Sequence, residues 1–275
     1  MNDLQENKTI RTTLRVSPGT IAVSSLLADG TATFEPYDVK NGVSLAANMR
    51  QAIKETASLQ RAGSRLQVMV SGRTLLVPAS LYDERQADRL FAHSFPGSGA
   101  DTVLTGALAG LNCVVLFAIN KDLKMVIDDR FADARYVCSM AAVWRHLHQR
   151  SLAGIRGKLY AYFHDGALDV FAFRQNRFKF CNTFDAEHSR DALYFLMYTW
   201  KQLTMDAGQD ELHIAGDIPD RQWLTGQLGR FIRRVYIINP ASDFNRSPIA
   251  QVPHMPYDLM TQYLAPWPPL KNKKT

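Results

Sequence analysis

The feature that most constrains this chain is a pattern that occurs twice. Residues 158–185, KLYAYFHDGALDVFAFRQNRFKFCNTFD, read as three short strands broken at Asp165-Gly166 and at Arg174-Gln175-Asn176. Residues 11–39, RTTLRVSPGTIAVSSLLADGTATFEPYDV, read the same way, with turns at Ser17-Pro18-Gly19 and Asp29-Gly30. Asp-Gly between apolar runs is a strong hairpin signal, because a tight two-residue turn needs residues that tolerate positive φ. In the second meander Leu159, Ala161 and Phe163 point one way and Tyr160, Tyr162 and His164 the other. Both sets are largely apolar or aromatic, so that sheet is expected to be covered on both faces.

Each meander leads into alternating helices and strands. After the first, Leu45, Met49, Ala52 and Ile53 fall on one face of a helix over residues 44–60, with Ser44 as its N-cap. Two extended segments flank Gly72, and Asp83 caps a helix carrying Ala87, Leu90 and Phe91. Residues 94–110 are rich in glycine and small residues, and FPGSGADT (95–102) is expected to form a mobile loop. LNCVVLFAI (111–119) has strand length, Leu123, Val126 and Ile127 suggest a short helix, and ARYVCS suggests another strand. Ser139 is expected to cap a helix carrying Met140, Val143, Trp144 and Leu147. After the second meander come helix 189–206, capped by Ser189, strand ELHIAG, a helix over 220–232 capped by Asp220, strand RRVYIINP, and a last short helix opened by Pro256. Helix 189–206 is apolar nearly all round, and a position between the two halves would explain that.

The order predicts an α/β fold of two lobes, each a mixed five-stranded sheet flanked by helices. A length of 275 residues suits two such units. The short basic stretch RSLAGIRGK marks the boundary. The first lobe then spans 11–152 with an insertion near 70–120, the second spans 155–265, and 266–275 form a basic tail. Two copies do not make a solenoid.

Composition narrows the function classes. No apolar run approaches the ~18 residues of a membrane span, and the polar start MNDLQENKTIR lacks the apolar core of a secretory signal. Cys113, Cys138 and Cys181 are odd in number and set in apolar runs, which predicts buried reduced thiols and a cytoplasmic protein. Net charge is +6, concentrated in local groups: Arg145 to Lys158, then Arg174, Arg177 and Lys179, then Arg230, Arg233 and Arg234, then the tail lysines. These are solvated surface or a footprint for an anionic partner. There is no Gly-x-x-x-x-Gly-Lys-Ser/Thr loop, no Cys/His set at zinc spacing, and no marked nucleophile with its base.

The doubled meander with alternating helices and strands resembles the actin-like ATPase superfamily, in which two ribonuclease H-like lobes hold a nucleotide between them. More closely, TLLVPASLYDERQADRLF (74–91), FKFCNTFDAEHSRDALYFLMYTWKQL (178–203) and ELHIAGDI (211–218) are similar to a bacterial domain-of-unknown-function family of small proteins with that fold. The resemblance implies that each first hairpin should carry Asp-x-Gly followed by a small polar residue. The glycine turn would bind phosphate oxygens, and the aspartate would hold magnesium or the attacking water. Here the first hairpin reads Ser17-Pro18-Gly19-Thr20 and the second His164-Asp165-Gly166-Ala167. Serine and histidine stand at the carboxylate positions, and Asp165 is one residue off register. Asp128 and Asp129 are the acids available elsewhere, and nothing singles them out. Gly216-Asp217 corresponds to the glycine turn near the adenosine. The resemblance thus points to a degenerate nucleotide cleft of Ser17, Gly19, Thr20, Asp165, Gly166, Gly216 and Asp217, with no catalytic residue, no metal and ATP a doubtful cofactor. A non-catalytic scaffold for a protein partner is the leading expectation. A nucleotide-binding protein with little hydrolysis and an RNA-associated basic protein are the alternatives. The cleft is expected to be narrow or filled.

Overall fold

The computed structural model describes residues 11–27, 30–63, 65–152, 156–175, 177–245 and 247–264. The N-terminal decapeptide, the basic tail, Asp29 and Asn176 of the expected turns, and the centre of the expected boundary at 153–155 lie outside the described residues.

In the first lobe, β1 (Arg11–Ser17), β2 (Thr20–Leu26) and β3 (Ala32–Tyr37) form the meander. Helices α1 (Leu45–Glu55) and α2 (Ala57–Arg61) lead to β4 (Arg65–Val70), which pairs with β1 in parallel. Ser44 accepts the Ala47 N–H and so caps α1. An insertion follows: β5 (Thr74–Pro78), α3 (Ala87–Ser94), β6 (Asp101–Leu108) and β7 (Cys113–Asn120). Its strands form a separate antiparallel sheet in the order β5-β7-β6 over a small core of Val77, Ala87, Phe91 and Leu116. Then α4 (Lys121–Arg130), β8 (Asp133–Cys138) and α5 (Ser139–Ser151) complete a sheet of order β3-β2-β1-β4-β8.

The second lobe repeats this plan without the insertion. Strands β9 (Lys158–His164), β10 (Ala167–Arg174) and β11 (Arg177–Asp185) meander, and α6 (Ser189–Gln202) leads to β12 (Glu211–Gly216). Then come α7 (Arg221–Gly229), β13 (Val235–Ile237), the single turn α8 (Pro240–Asp243) and α9 (Tyr257–Leu264). The order β11-β10-β9-β12-β13 matches the first sheet, with β9 antiparallel to β10 and parallel to β12. Both five-stranded sheets are mixed, as the sequence predicts.

The alternation in β9 has the expected consequence. Leu159, Ala161 and Phe163 pack with α6 and α7 residues such as Leu196, Trp200 and Leu224. Tyr160 and Tyr162 belong to the core of the first lobe, with Leu14, Trp144 and Leu259. The layer between the sheets consists of α5 and α9. From α5, Trp144 meets Phe178 edge-on at 5.6 Å and the Leu147 carbonyl accepts from the Tyr160 hydroxyl. From α9, Tyr263 donates to the Ser24 hydroxyl of β2 and stacks under Arg11 of β1.

Three local expectations are corrected. Helix α6 does not lie between the lobes: it covers the far face of the second sheet, burying Ala192, Leu196 and Trp200 while Tyr194 and Tyr198 are 63% and 49% exposed. Its aromatic residues read as a second apolar face, yet a tyrosine tolerates water through its hydroxyl. Residues 95–102 are not loop throughout, since β6 begins at Asp101. Small residues let β6 press against β7, and an added Cβ at Gly106 would sit 3.3 Å from Val115 Cγ1. Ser139 and Ser189 are first helical residues, not caps, while Asp220 takes the N-cap position without a side-chain bond.

Candidate functional site: the two hairpin turns

The equivalent strands β1 and β9 each run into a tight turn, and the two turns meet. The first turn, Pro18-Gly19, needs positive φ only at Gly19, which has +82°. The second has positive φ at both Asp165 (+49°) and Gly166 (+74°), the geometry that favours Asp-Gly. That geometry also aims the Asp165 side chain across the gap to the first lobe.

There it meets Arg15, two residues before the first turn's Ser17 and so on the same face of β1. Arg15 Nη2 donates to Asp165 Oδ2 at 2.6 Å and Nη1 to Oδ1 at 3.2 Å, a two-pronged ion pair. Arg15 Nε donates to Asp258 Oδ2 at 2.8 Å. Asp258 lies in the first turn of α9, fully buried, and its other oxygen accepts the Leu259 N–H at 2.7 Å. Thr20 adds a hydroxyl bond to Asp165 Oδ1 at 3.2 Å, and Ser17 bonds the Thr20 hydroxyl. His164 donates through Nδ1 to Asp165 at 3.1 Å and through Nε2 to Asp169 at 2.6 Å, while Thr183 donates to Asp169. The His164 ring stacks on Tyr162 at 4.8 Å.

The electrostatics follow. Burial works against a charged His164, but its bonds to Asp165 and Asp169 outweigh this and lift its pKa to about 9. Burial opposes ionisation of Asp165 too, yet His164 and Arg15 hold its carboxyl far below the usual range. Arg15 is pushed further up by Asp258 and Asp165 despite burial. The cluster is therefore two cations among three carboxylates, largely shielded from water. Buried charges persist only when paired in this way.

Beside this cluster lies a cavity of about 540 Å³, lined by Ser17, Arg73, His164, Asp165, Gly166 and Asp191 among others. The narrow or filled cleft that the sequence suggested is thus half right: ion pairs fill the space between the turns, and an open cavity adjoins it. Asp165, Asp169, Asp185, Glu187 and Asp191 give that cavity five carboxylates against one arginine, Arg73. Among the described residues no group of three or more His, Cys, Asp or Glu is placed to hold a metal. Asp128, the acid considered as a substitute, sits on α4 bonded to Lys124 and Tyr136; Asp129 is exposed on the same helix.

Gly216 and Asp217 do not join Ser17 and Asp165. They line a second cavity of about 350 Å³ with Tyr162, Arg221, Asn239 and Tyr257. Gly216 has φ of +89°, and an added Cβ would lie 1.9 Å from the Phe163 carbonyl oxygen. Its glycine is thus fixed by the approach of β12 to β9, with Asp217 N–H bonding the same carbonyl at 3.0 Å. Sequence reasoning missed Arg15, Asp169 and Asp258. The available signal was a charged residue set inside an apolar strand or helix, where burial demands a partner.

The architecture has close relatives among solved structures. A protein from Bacteroides thetaiotaomicron with an actin-like ATPase fold and unknown function is 26% identical, with a TM-score of 0.80, over 91% of this chain and 99% of that one. The PilM-PilN type IV pilus biogenesis complex contains a chain with 13% identity and a TM-score of 0.57, over 85% of this chain and 89% of that one. No curated protein matches. The chain has the actin-like ATPase fold with its two ribonuclease H-like lobes. Residues 7–235 match the family described as "Protein of unknown function (DUF3822)", and the chain belongs to that family.

Proposed function

We propose that this protein is a non-catalytic scaffold, an actin-like fold whose two lobes are latched by their own side chains and which serves to bind another protein. The observation that carries this reading is the Arg15–Asp165 pair. It spans the two turns, the place where a nucleotide-binding relative would hold phosphates. A phosphate arriving there would have to displace a carboxylate bonded by an arginine, a histidine and a threonine. It would also face the acidic lining of the adjoining cavity. The positions that would hold magnesium carry Ser17 and His164, so phosphoryl transfer would lack its metal. The PilM-PilN complex is an instance of this fold joined to another protein, which supports use of the fold to bind a protein partner. A cytoplasmic location belongs to the same proposal, in keeping with three unpaired cysteines, two of them buried.

A nucleotide-binding alternative draws on the second cavity, where Arg221 and the rings of Tyr162 and Tyr257 accompany Gly216-Asp217. Calorimetric titration with ATP and ADP, with and without magnesium, separates the two. The scaffold reading expects no saturable heat and no turnover. Binding at micromolar Kd that is lost in Gly19→Val, Gly166→Val or, at the second cavity, Arg221→Glu would overturn it, as would magnesium-dependent hydrolysis near ~1 per second.

A further inference from the structure

The sequence holds basic groups far apart in the chain, and the fold brings three of them to one edge. This is the end of the second sheet away from the hairpin turns. Arg174 pairs with Arg177 across β10 and β11. Phe173 of β10 pairs with Lys158 of β9, Lys158 with Glu211 of β12, and Leu212 with Val235 of β13. Arg156 lies just before β9, Arg233 and Arg234 just before β13, and Arg230 just after α7. The row therefore crosses all five strands, four steps of about 4.8 Å, or about 19 Å in all.

The anionic groups of this end are already engaged. Asp210 accepts the N–H groups of Gly157 and Asp206 at 2.8 and 2.9 Å. Asp206 accepts those of Gly208 and Gln209. Glu211 is shared by Arg156 and His213. By contrast Arg174, Arg177, Lys179 and Arg233 are exposed, and none makes an ion pair among the described residues. Two rings accompany them. Phe231, between Arg230 and Arg233, is 54% exposed, and Tyr236 is 44% exposed at the end of a stack through His213 to Tyr160, each step 5.1 Å.

We propose that this edge is a docking surface for single-stranded nucleic acid. Guanidinium groups match phosphates in a bidentate fashion, and exposed flat rings beside them suit unpaired bases. An acidic protein would use the charge but has less use for an exposed phenylalanine set among arginines in the sequence. The surface is independent of the latch at the opposite end of the sheet, so it stands whether or not the scaffold reading holds.

The test is fluorescence anisotropy of the intact chain with labelled oligo-uridine and oligo-thymidine of about 20 nucleotides, and a duplex of equal length. Binding should weaken from about 50 to about 200 mM salt with a log–log slope near −2, for three contacts at about 0.7 each. Arg174→Glu/Arg177→Glu/Arg233→Glu should lower affinity more than about tenfold. Phe231→Ala/Tyr236→Ala should cost single strands at least about fivefold and leave the duplex unchanged. Arg73→Glu, at the other end, should bind as the parent does. All these side chains are at the surface, and unchanged melting will show the variants fold. Absence of saturable binding at low salt overturns the proposal. So does an equal loss in Arg73→Glu, or polyglutamate binding as tightly as the oligonucleotides with no effect of the ring variant, which would assign the edge to an acidic protein.

Discussion

The two hairpin turns occupy equivalent places in equivalent sheets, yet they differ in kind. The first, Ser17 to Thr20, offers hydroxyls and draws its charge from Arg15 one face-step back along β1. The second, His164 to Ala167, offers a carboxylate thrust outward by a turn with two positive φ angles, and an imidazolium behind it. One side supplies the guanidinium and the other the carboxylate. Duplicated frames that would both face a third group here face each other instead. Different polar residues at equivalent positions of the two frames are enough to build an ion pair between the lobes, with the strands around it in the same order.

The strongest way to break that comparison is to remove the first turn's charge. Arg15→Met leaves Asp258 fully buried without its cation, and urea denaturation should show a loss of about 3–5 kcal/mol. Pairing it with Asp258→Leu should recover a large part of that loss, since an apolar pair can replace a buried ion pair. A loss below about 1 kcal/mol for Arg15→Met alone would mean the latch contributes little.

The second turn's imidazolium sets a pH dependence. His164 has a folded pKa of about 9, raised above its unfolded value. Its contribution is therefore complete below about pH 6.5 and disappears as pH rises through 9. Stability should fall by about 3 kcal/mol across that window. Asp165, whose pKa is depressed, works in the opposite sense: its contribution is present above the ordinary carboxylate range and lost in acid. His164→Gln should flatten the alkaline limb and, because His164 also holds the Asp165 carboxyl down, weaken the acid limb in part. An alkaline slope that survives this substitution would place its origin elsewhere.

A finer asymmetry lies in Thr20, whose counterpart in the second turn is Ala167. Thr20→Ala removes one hydroxyl bond to Asp165 and should cost about 0.5–1.5 kcal/mol, read as a shift in denaturation midpoint. The smallest effect is expected on α6. Tyr194→Ala and Tyr198→Ala lie on its outer face and should each stay within about 0.5 kcal/mol. Larger losses would restore the buried position that the sequence suggested for this helix.

Much of the fold was legible because it rests on periodicity. The alternation in β9 announced a sheet buried on both faces, and the two meanders announced the duplication. What was not legible depends on partners distant in sequence. Asp165 reads as an ordinary Asp-Gly turn residue until β1, 150 positions away, brings Arg15 to it. Helix α9 sets Asp258, Thr261 and Gln262 among apolar residues, and all three are buried. Helix α6 reads as apolar nearly all round, yet its Tyr194 and Tyr198 face meets water. Which polar side chain goes inside is decided by its partners: Asp258 is accepted there through Arg15 and the Leu259 N–H.

The apolar cluster joining Leu14, Trp144, Tyr162, Phe173 and Leu259 bears on how the molecule comes apart. It includes the interior of the first sheet, the α5–α9 layer and one face of the second sheet, whose other face belongs to a separate cluster. The seam between cooperative units therefore does not follow the duplication. It runs through the plane of the second sheet, so that α6 and α7 on its far side can lose protection against amide exchange while β9 and β10 remain held from the other. A fragment cut between the repeats would carry half of a shared interior into water. By sequence the chain counts two copies; by its buried apolar clusters it counts one large unit and two smaller ones leaning on it.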